Sequence, residues 1–191
     1  RSQWPKLGLN PAKGKPVDFA MSAKAADYHK RLTEFMVDHV IPAEEPYDAY
    51  RAAAGPGDFT VPPVVEELKS LARERGLWNL FLPAESGLSN LQYAPLAELT
   101  GWSTEIGPEA INCAAPDTGN MEVLHMFGTD GQEKQWLAPL LAGEIRSAFS
   151  MTEPAVASSD ARNIQTAITR DGDDYIINGR KWSTSGANDP R

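Results

Sequence analysis

At Arg146 the hydrophobic period of the chain changes from that of a helix to that of a strand, and this divides what the sequence can build. Upstream, apolar residues recur every three or four positions. Ser22 is placed to cap a helix over "AKAADYHKRLTEFMVDHV", where Ala25, Leu32, Phe35, Met36 and Val40 make one stripe. Pro42 ends that helix or begins the next, "AEEPYDAYRAAAG", which Gly55 closes. "PPVVEELKSLARERG" has prolines at its start, Gly76 at its end, and Val64, Val65, Leu68, Leu71 and Ala72 on one face. After the loop-rich "LWNLFLPAESGLSN", helical spacing resumes in "LQYAPLAELTGWSTE" despite Pro95, then in "GNMEVLHMFG". "TDGQEKQWLAPLLAGE" opens on a capping residue, Thr129 or Asp130, and carries Trp136, Leu137, Leu140 and Leu141 at helical positions.

Downstream, "RSAFSMTE" and "NIQTAITR" alternate, "DGDD" is a turn signal, and "YIINGRKWSTS" is a β-branched and aromatic return strand. The expected class is therefore α+β. Residues 1–21, rich in proline and glycine, form an extended arm; residues 22–145 form an all-helical N-terminal domain; residues 146–191 open a β domain. The chain stops straight after a strand-like segment, which would leave an open sheet edge. The expectation is a truncated chain, with the rest of the fold beyond Arg191.

Charge and cysteine content narrow the function. A net charge of −8 argues against nucleic acid as a partner, because phosphate backbones require a basic face. One cysteine, Cys113, excludes an internal disulfide framework and reads as a small buried hydrophobe. No apolar run approaches the roughly 18 residues of a membrane span, and the N-terminus has no apolar signal region. His29, His39 and His125 stand apart, without metal-ligand spacing among them. Glycine-rich nucleotide loops and the G-x-S-x-G elbow of hydrolases are missing too.

Two features remain. In "MTEPAVASSD", Thr152 ends a strand, Pro154 fixes the exit, and Ala155, Ala157, Ser158 and Ser159 are small enough for close backbone approach. Amides and hydroxyls in such a turn suit an anion or the polar edge of a ring. In "KWSTS", Trp182 and Thr184 are two apart and share one face of a strand, with Ser183 between them. A flat heteroaromatic cofactor would fit between the two features. On residues alone the plainer reading, a loop and a core aromatic, is the commoner one.

The two stretches together, "SMTEPAVASSDARNIQT" and "YIINGRKWSTSGA", resemble the flavin-binding region of acyl-CoA dehydrogenases. The resemblance extends upstream through "FGTDGQEKQWLAPLLAGEIRSAFSMTEP" and covers roughly residues 22–188. Details such as "MTEPAVASSDA" and "KWSTSGANDPR" look most like a branch that also occurs fused to a phosphotransferase-like kinase domain in animals. Two departures stand out. "AVAS" makes the turn one residue longer than the commoner form, and "KWST" has one residue fewer before the tryptophan than many members.

The resemblance implies a β-barrel-like middle domain and FAD as cofactor. It lays Phe149, Met151 and Thr152 along the flavin ring, with Thr152 at its polar edge. Ser158 and Ser159 stand near the pyrophosphate, Ser159 also near the pantetheine arm of an acyl-CoA substrate. Trp182 packs beside the isoalloxazine, with Ser183 next to it, and the Thr184 hydroxyl bonds near N5. Residues 90–130 would shape the floor of the acyl pocket. The implied reaction is α,β-dehydrogenation, with the catalytic base in a C-terminal helical bundle outside this chain and Glu153 structural. Implied partners are an electron acceptor such as an electron-transfer flavoprotein, and further copies in a homodimer or homotetramer. The implied compartment is the cytoplasm in a bacterium, or the mitochondrion or peroxisome in a eukaryote. An acyl-CoA oxidase, another flavin-dependent member of the fold, a non-catalytic acyl-CoA-binding homologue and an incomplete fragment are the alternatives.

Overall fold

The computed structural model describes residues 18–190. The arm expected over 1–21 lies largely outside them. Ser22 caps the first helix, α1 (Ala23–Phe35), its hydroxyl accepting from the Ala25 N–H at 3.2 Å. The expected helix then widens into a π-helical turn (Met36–Val40) and tightens into a 3₁₀ turn (Ile41–Ala43) before α2 (Glu44–Ala54). Pro42 explains the widening, because its ring collides with the carbonyl four residues back, inside that turn. Gly55, at φ +80°, closes α2.

α3 (Pro63–Glu74), α4 (Pro83–Ser86) and α5 (Asn90–Thr100) follow, then α6 (Gly107–Ala110) and α7 (Asp117–Phe127). The last helical run is α8 (Asp130–Gln132), a π-helical turn (Glu133–Leu137) and α9 (Ala138–Leu141). Thr129 and Gln132 form a reciprocal capping box at its start. Here too the wide turn spans the residue four before a proline, Pro139.

The apolar stripes meet in one large cluster that includes Leu32, Phe35, Met36, Val65, Leu77, Leu96 and Ile111. A smaller cluster of Phe81, Leu82, Met121, Leu137 and Leu140 packs the last helices beside it. Four side chains collect the carbonyls at the end of α9. Asn112 Nδ2 donates to Leu140, Trp78 Nε1 and Asn79 Nδ2 to Leu141, and Arg73 Nη2 to Ala142. Asn79 and Asn112 both sit at φ 55°, a left-handed conformation that asparagine tolerates. Gly143 turns the chain away at φ +68°, against Arg73 and Trp78, where a Cβ would come within 2.9 Å of either. The chain is thus aimed by the helical core before the strand-like part begins.

That part holds one antiparallel hairpin, β1 (Ala167–Asp171) and β2 (Asp174–Asn178), in the register Ala167 to Asn178. Its two-residue turn has Gly172 first, at φ +64°, as a glycine-first hairpin turn requires. The architecture is helical with a small two-stranded sheet, and so α+β among the described residues.

Two expectations are corrected. Residues 146–153 run without ladder pairing, so "RSAFSMTE" is not a strand. The return strand ends at Asn178 and does not reach Ser185. Ser183 adopts φ 52°, which breaks the period-two geometry that put Trp182 and Thr184 on one strand face. Among the described residues no helix is long and apolar enough to cross a membrane.

Candidate functional site

Residues 149–153 and 181–184 lie side by side, although neither is a strand. The Trp182 N–H donates to the Thr152 carbonyl at 3.2 Å, and the Ser150 and Thr184 hydroxyls are 3.1 Å apart. Lys181 Nζ donates to the Met151 carbonyl at 2.9 Å and to the Glu153 carboxylate at 2.9 Å. The two signature stretches therefore form a single wall.

Glu153 organises the turn behind this wall. Its side chain is 5% exposed and accepts from the Gln165 N–H at 2.8 Å, the Thr166 N–H at 2.9 Å and the Thr166 hydroxyl at 2.5 Å, besides Lys181. Four donors to one carboxylate stabilise its charged form. The Thr166 hydroxyl, the Gln165 amide and Lys181 pull the Glu153 pKa down to about 2. In front of it, the Glu153 N–H donates to Ser158 Oγ at 2.7 Å. The Ser158 side chain is buried, and its hydroxyl turns back toward the Val156 carbonyl at 3.2 Å. Ser158 thus folds the lengthened "AVAS" turn on itself, while Ser159 faces solvent.

The other expected site residues keep accessible surface. Phe149 is 61% exposed and Trp182 53%, while Met151, Thr152 and Thr184 are half-buried. The carbonyl of Thr152 is held by Trp182, yet among the described residues neither its N–H nor its hydroxyl has a hydrogen-bond partner. The wall thus offers two aromatic planes, the Thr184 hydroxyl and two free polar groups on Thr152. It has the donor set that a flat ring with a polar edge needs.

The sequence reading missed the ionic network that holds this wall to the helices. Lys69, 1% exposed on α3, meets Glu109 of α6 at 2.6 Å. Glu109 also pairs with Arg146, whose Nε lies 2.5 Å from Asp117 of α7. Asp117 Oδ1 in turn accepts from the Ser147 N–H at 2.8 Å and its hydroxyl at 2.5 Å, and Asn120 Nδ2 donates to Ser147 Oγ at 2.8 Å. Burial opposes the charged form of Glu109, but Arg146 and Lys69 hold its carboxyl below the usual range. Charges dispersed from Lys69 to Arg146 carry no local spacing signal; only the fold assembles them.

Beside this network lies an open groove of about 360 Å³. Val123, Leu124, Trp136, Leu140 and Ile145 make its apolar lining, and Asn120 and Ser147 its polar rim. Three residues of the expected floor, Asn120, Val123 and Leu124, are in it; Trp136, Leu140 and Ile145, beyond residue 130, are as well.

Residues 148–191 match the family described as "Acyl-CoA dehydrogenase, middle domain". Over 92% of its length the chain is 74% identical to a "Probable acyl-CoA dehydrogenase FadE2" of Mycobacterium tuberculosis. It is 53% identical, over 90% of its length, to "Acyl-CoA dehydrogenase family member 11" of Gallus gallus. A solved structure, that of a putative acyl-CoA dehydrogenase from Mycobacterium abscessus, aligns over 87% of the chain with a TM-score of 0.79 and 49% identity. The chain spans 43% of the mycobacterial relative, 22% of the chicken one and 43% of the solved structure.

Proposed function

This chain belongs to the acyl-CoA dehydrogenase family, and from that premise we propose that residues 149–152 with Ser159 and 182–184 form one wall of an FAD site serving the α,β-dehydrogenation of an acyl-CoA thioester. The observation that carries the reading is the Trp182–Thr152 bond, which brings the two signature stretches together across thirty residues. Residues 22–145 are taken as the helical unit and 146–191 as the opening of the middle domain.

Bound here, FAD supplies the acceptor for the hydride that leaves the substrate's β-carbon. The chain's own residues bind and orient. The free N–H and hydroxyl of Thr152 would hold the polar edge of the ring, the Trp182 indole would shield it from water, and the Thr184 hydroxyl would supply a further donor beside it. Ser159, facing solvent at the end of the turn, is placed for the pyrophosphate and the pantetheine arm. Ser158 supports the turn from within, and Phe149 and Met151 extend the apolar surface. The groove lined by Val123, Leu124 and Trp136 takes an apolar acyl chain.

No carboxylate of this chain is assigned as the base. Glu153 is committed to its four donors and, held near pKa 2, is too weak a base to remove an α-proton. The base, an electron-transfer flavoprotein as acceptor, a homodimer or homotetramer, and a place in fatty acid β-oxidation complete the proposal for the whole protein. Its compartment would be the cytoplasm of a bacterium, or a mitochondrion or peroxisome. The test is reconstitution: full-length protein stripped of flavin and dialysed against FAD should turn yellow with one flavin per chain. Protein that stays colourless contradicts the reading.

A further inference from the structure

We propose that Lys181 is a positioning residue that aims the Thr152 N–H at the cofactor, with Glu153 holding Lys181 in place. The proposal rests on the FAD reading above and deepens it. The pivot is the peptide plane between Met151 and Thr152. In a trans peptide the carbonyl of one residue and the N–H of the next point in opposite directions. Lys181 Nζ grips the Met151 carbonyl at 2.9 Å, so it also fixes the direction of the Thr152 N–H. That N–H has no partner among the described residues, and it is the free main-chain donor of the expected ring edge.

The next plane is fixed in the same way. The Thr152 carbonyl is held by the Trp182 N–H, and the opposed Glu153 N–H is held by Ser158. The carbonyls of two consecutive peptides are thus held by residues 181 and 182. The clamp leaves Thr152 N–H as the single unfilled donor of the pair.

Lys181 does not reach the carbonyl by chance. Its ammonium also lies 2.9 Å from Glu153 Oε1, whose carboxylate is anchored to the Gln165 and Thr166 amides at the head of the hairpin. The Lys181 side chain is 24% exposed and that of Glu153 5%, so both ends of the pair are well shielded from water. A lysine so held loses the rotamer freedom of a surface lysine. The hairpin, the turn and the flavin edge become one rigid unit.

A donor aimed at the polar edge favours the reduced ring, which carries more negative charge there, over the oxidised ring. A merely structural defect weakens both redox forms alike and leaves the reduction potential unmoved. Two readouts on full-length protein separate these cases: FAD affinity and the potential of the bound flavin. Lys181→Met should bind FAD roughly tenfold more weakly, the equivalent of one lost hydrogen bond, and should lower the potential. Lys181→Arg, which keeps donors for both acceptors, should recover both values. If the methionine variant does not fold, Lys181→Gln is compared with Lys181→Arg, and the glutamine protein alone should show the weaker binding and lower potential. Equal affinity and potential in wild type and the folded Met or Gln variant overturn the positioning role while leaving the FAD site standing. Failure of wild type itself to bind FAD overturns the functional reading instead.

Discussion

Trp182 donates its backbone N–H to the carbonyl of Thr152 at 3.2 Å, so two stretches separated by a complete hairpin share one surface. The bond explains why neither stretch means much alone. Apart, they are a polar turn and an exposed tryptophan; joined, they present aromatic planes and free donors together. Supporting them are the buried Glu153 carboxylate behind the turn and the Arg146 network at its entrance.

The Arg146 network predicts a large stability effect. Arg146→Met would leave Asp117, 4% exposed at its side chain, without its arginine partner and would take one cation from Glu109. Removing one partner of a buried ion pair costs about 3 kcal/mol or more. Chemical denaturation should show a loss of this size. A change within about 0.5 kcal/mol, the range of an ordinary surface substitution, would contradict the assignment.

Glu153 predicts a change in acid sensitivity. Its pKa is lowered from 4.5 to about 2 in the folded chain, so it stabilises the fold fully above 4.5, and this contribution fades as pH falls toward 2. Glu153→Gln removes the titrating group. Thermal unfolding between pH 5 and 2 should therefore be less steeply pH-dependent in the variant than in wild type. Parallel curves would show that Glu153 is not the group being protonated.

Two glycines give opposed expectations for the hairpin. A Cβ at Gly179 would come within 2.7 Å of the Thr166 Cβ, and Thr166 is a β-branched residue already bonded to Glu153. Gly179→Ala should cost about 1–3 kcal/mol through overpacking and should weaken the turn. At Gly172 a Cβ meets nothing within 4 Å, but φ is +64°, so Gly172→Ala should cost about 1 kcal/mol through backbone strain alone. Hydrogen exchange at Gln165 and Thr166, whose amides Glu153 holds, separates them: faster in Gly179→Ala, unchanged in Gly172→Ala.

The end of the last helix is a further test. Asn112 Nδ2 donates to the Leu140 carbonyl and to Asn79 Oδ1, both buried. Asn112→Ala leaves these acceptors short of a donor and gives a left-handed backbone position to alanine. A loss of about 2 kcal/mol is expected in equilibrium unfolding, with Asn112→Asp retaining the backbone preference but not the donor.

Helix positions were readable because each depends on neighbours within a few residues. Ser22, Gly55, Thr129 and the apolar stripes act locally, and the structure uses each as expected. The π-helical turns were not anticipated, because a proline marks a defect without saying whether the helix breaks or widens. Strand extents after Arg146 were overestimated, since alternation shows that a segment is extended but not that it has a partner. The Ser183 backbone at φ 52° carries no sequence signal of its own. Of the candidate site, the residues of the wall were found through the two motifs. Lys69, Glu109, Arg146 and Asp117 were not, because their meeting depends on the packing of three helices and the segment after α9.

Anaerobic titration of the yellow full-length protein with acyl-CoA thioesters tests the central claim most directly. The account predicts that the flavin absorption bleaches on addition of an acyl-CoA and that the bleaching is slowed in Thr184→Val. Bleaching accompanied by peroxide formation in air would assign the protein to the oxidases of the same fold. A flavin that binds but is not reduced by any acyl-CoA, from short to long chains, would contradict the proposed dehydrogenation.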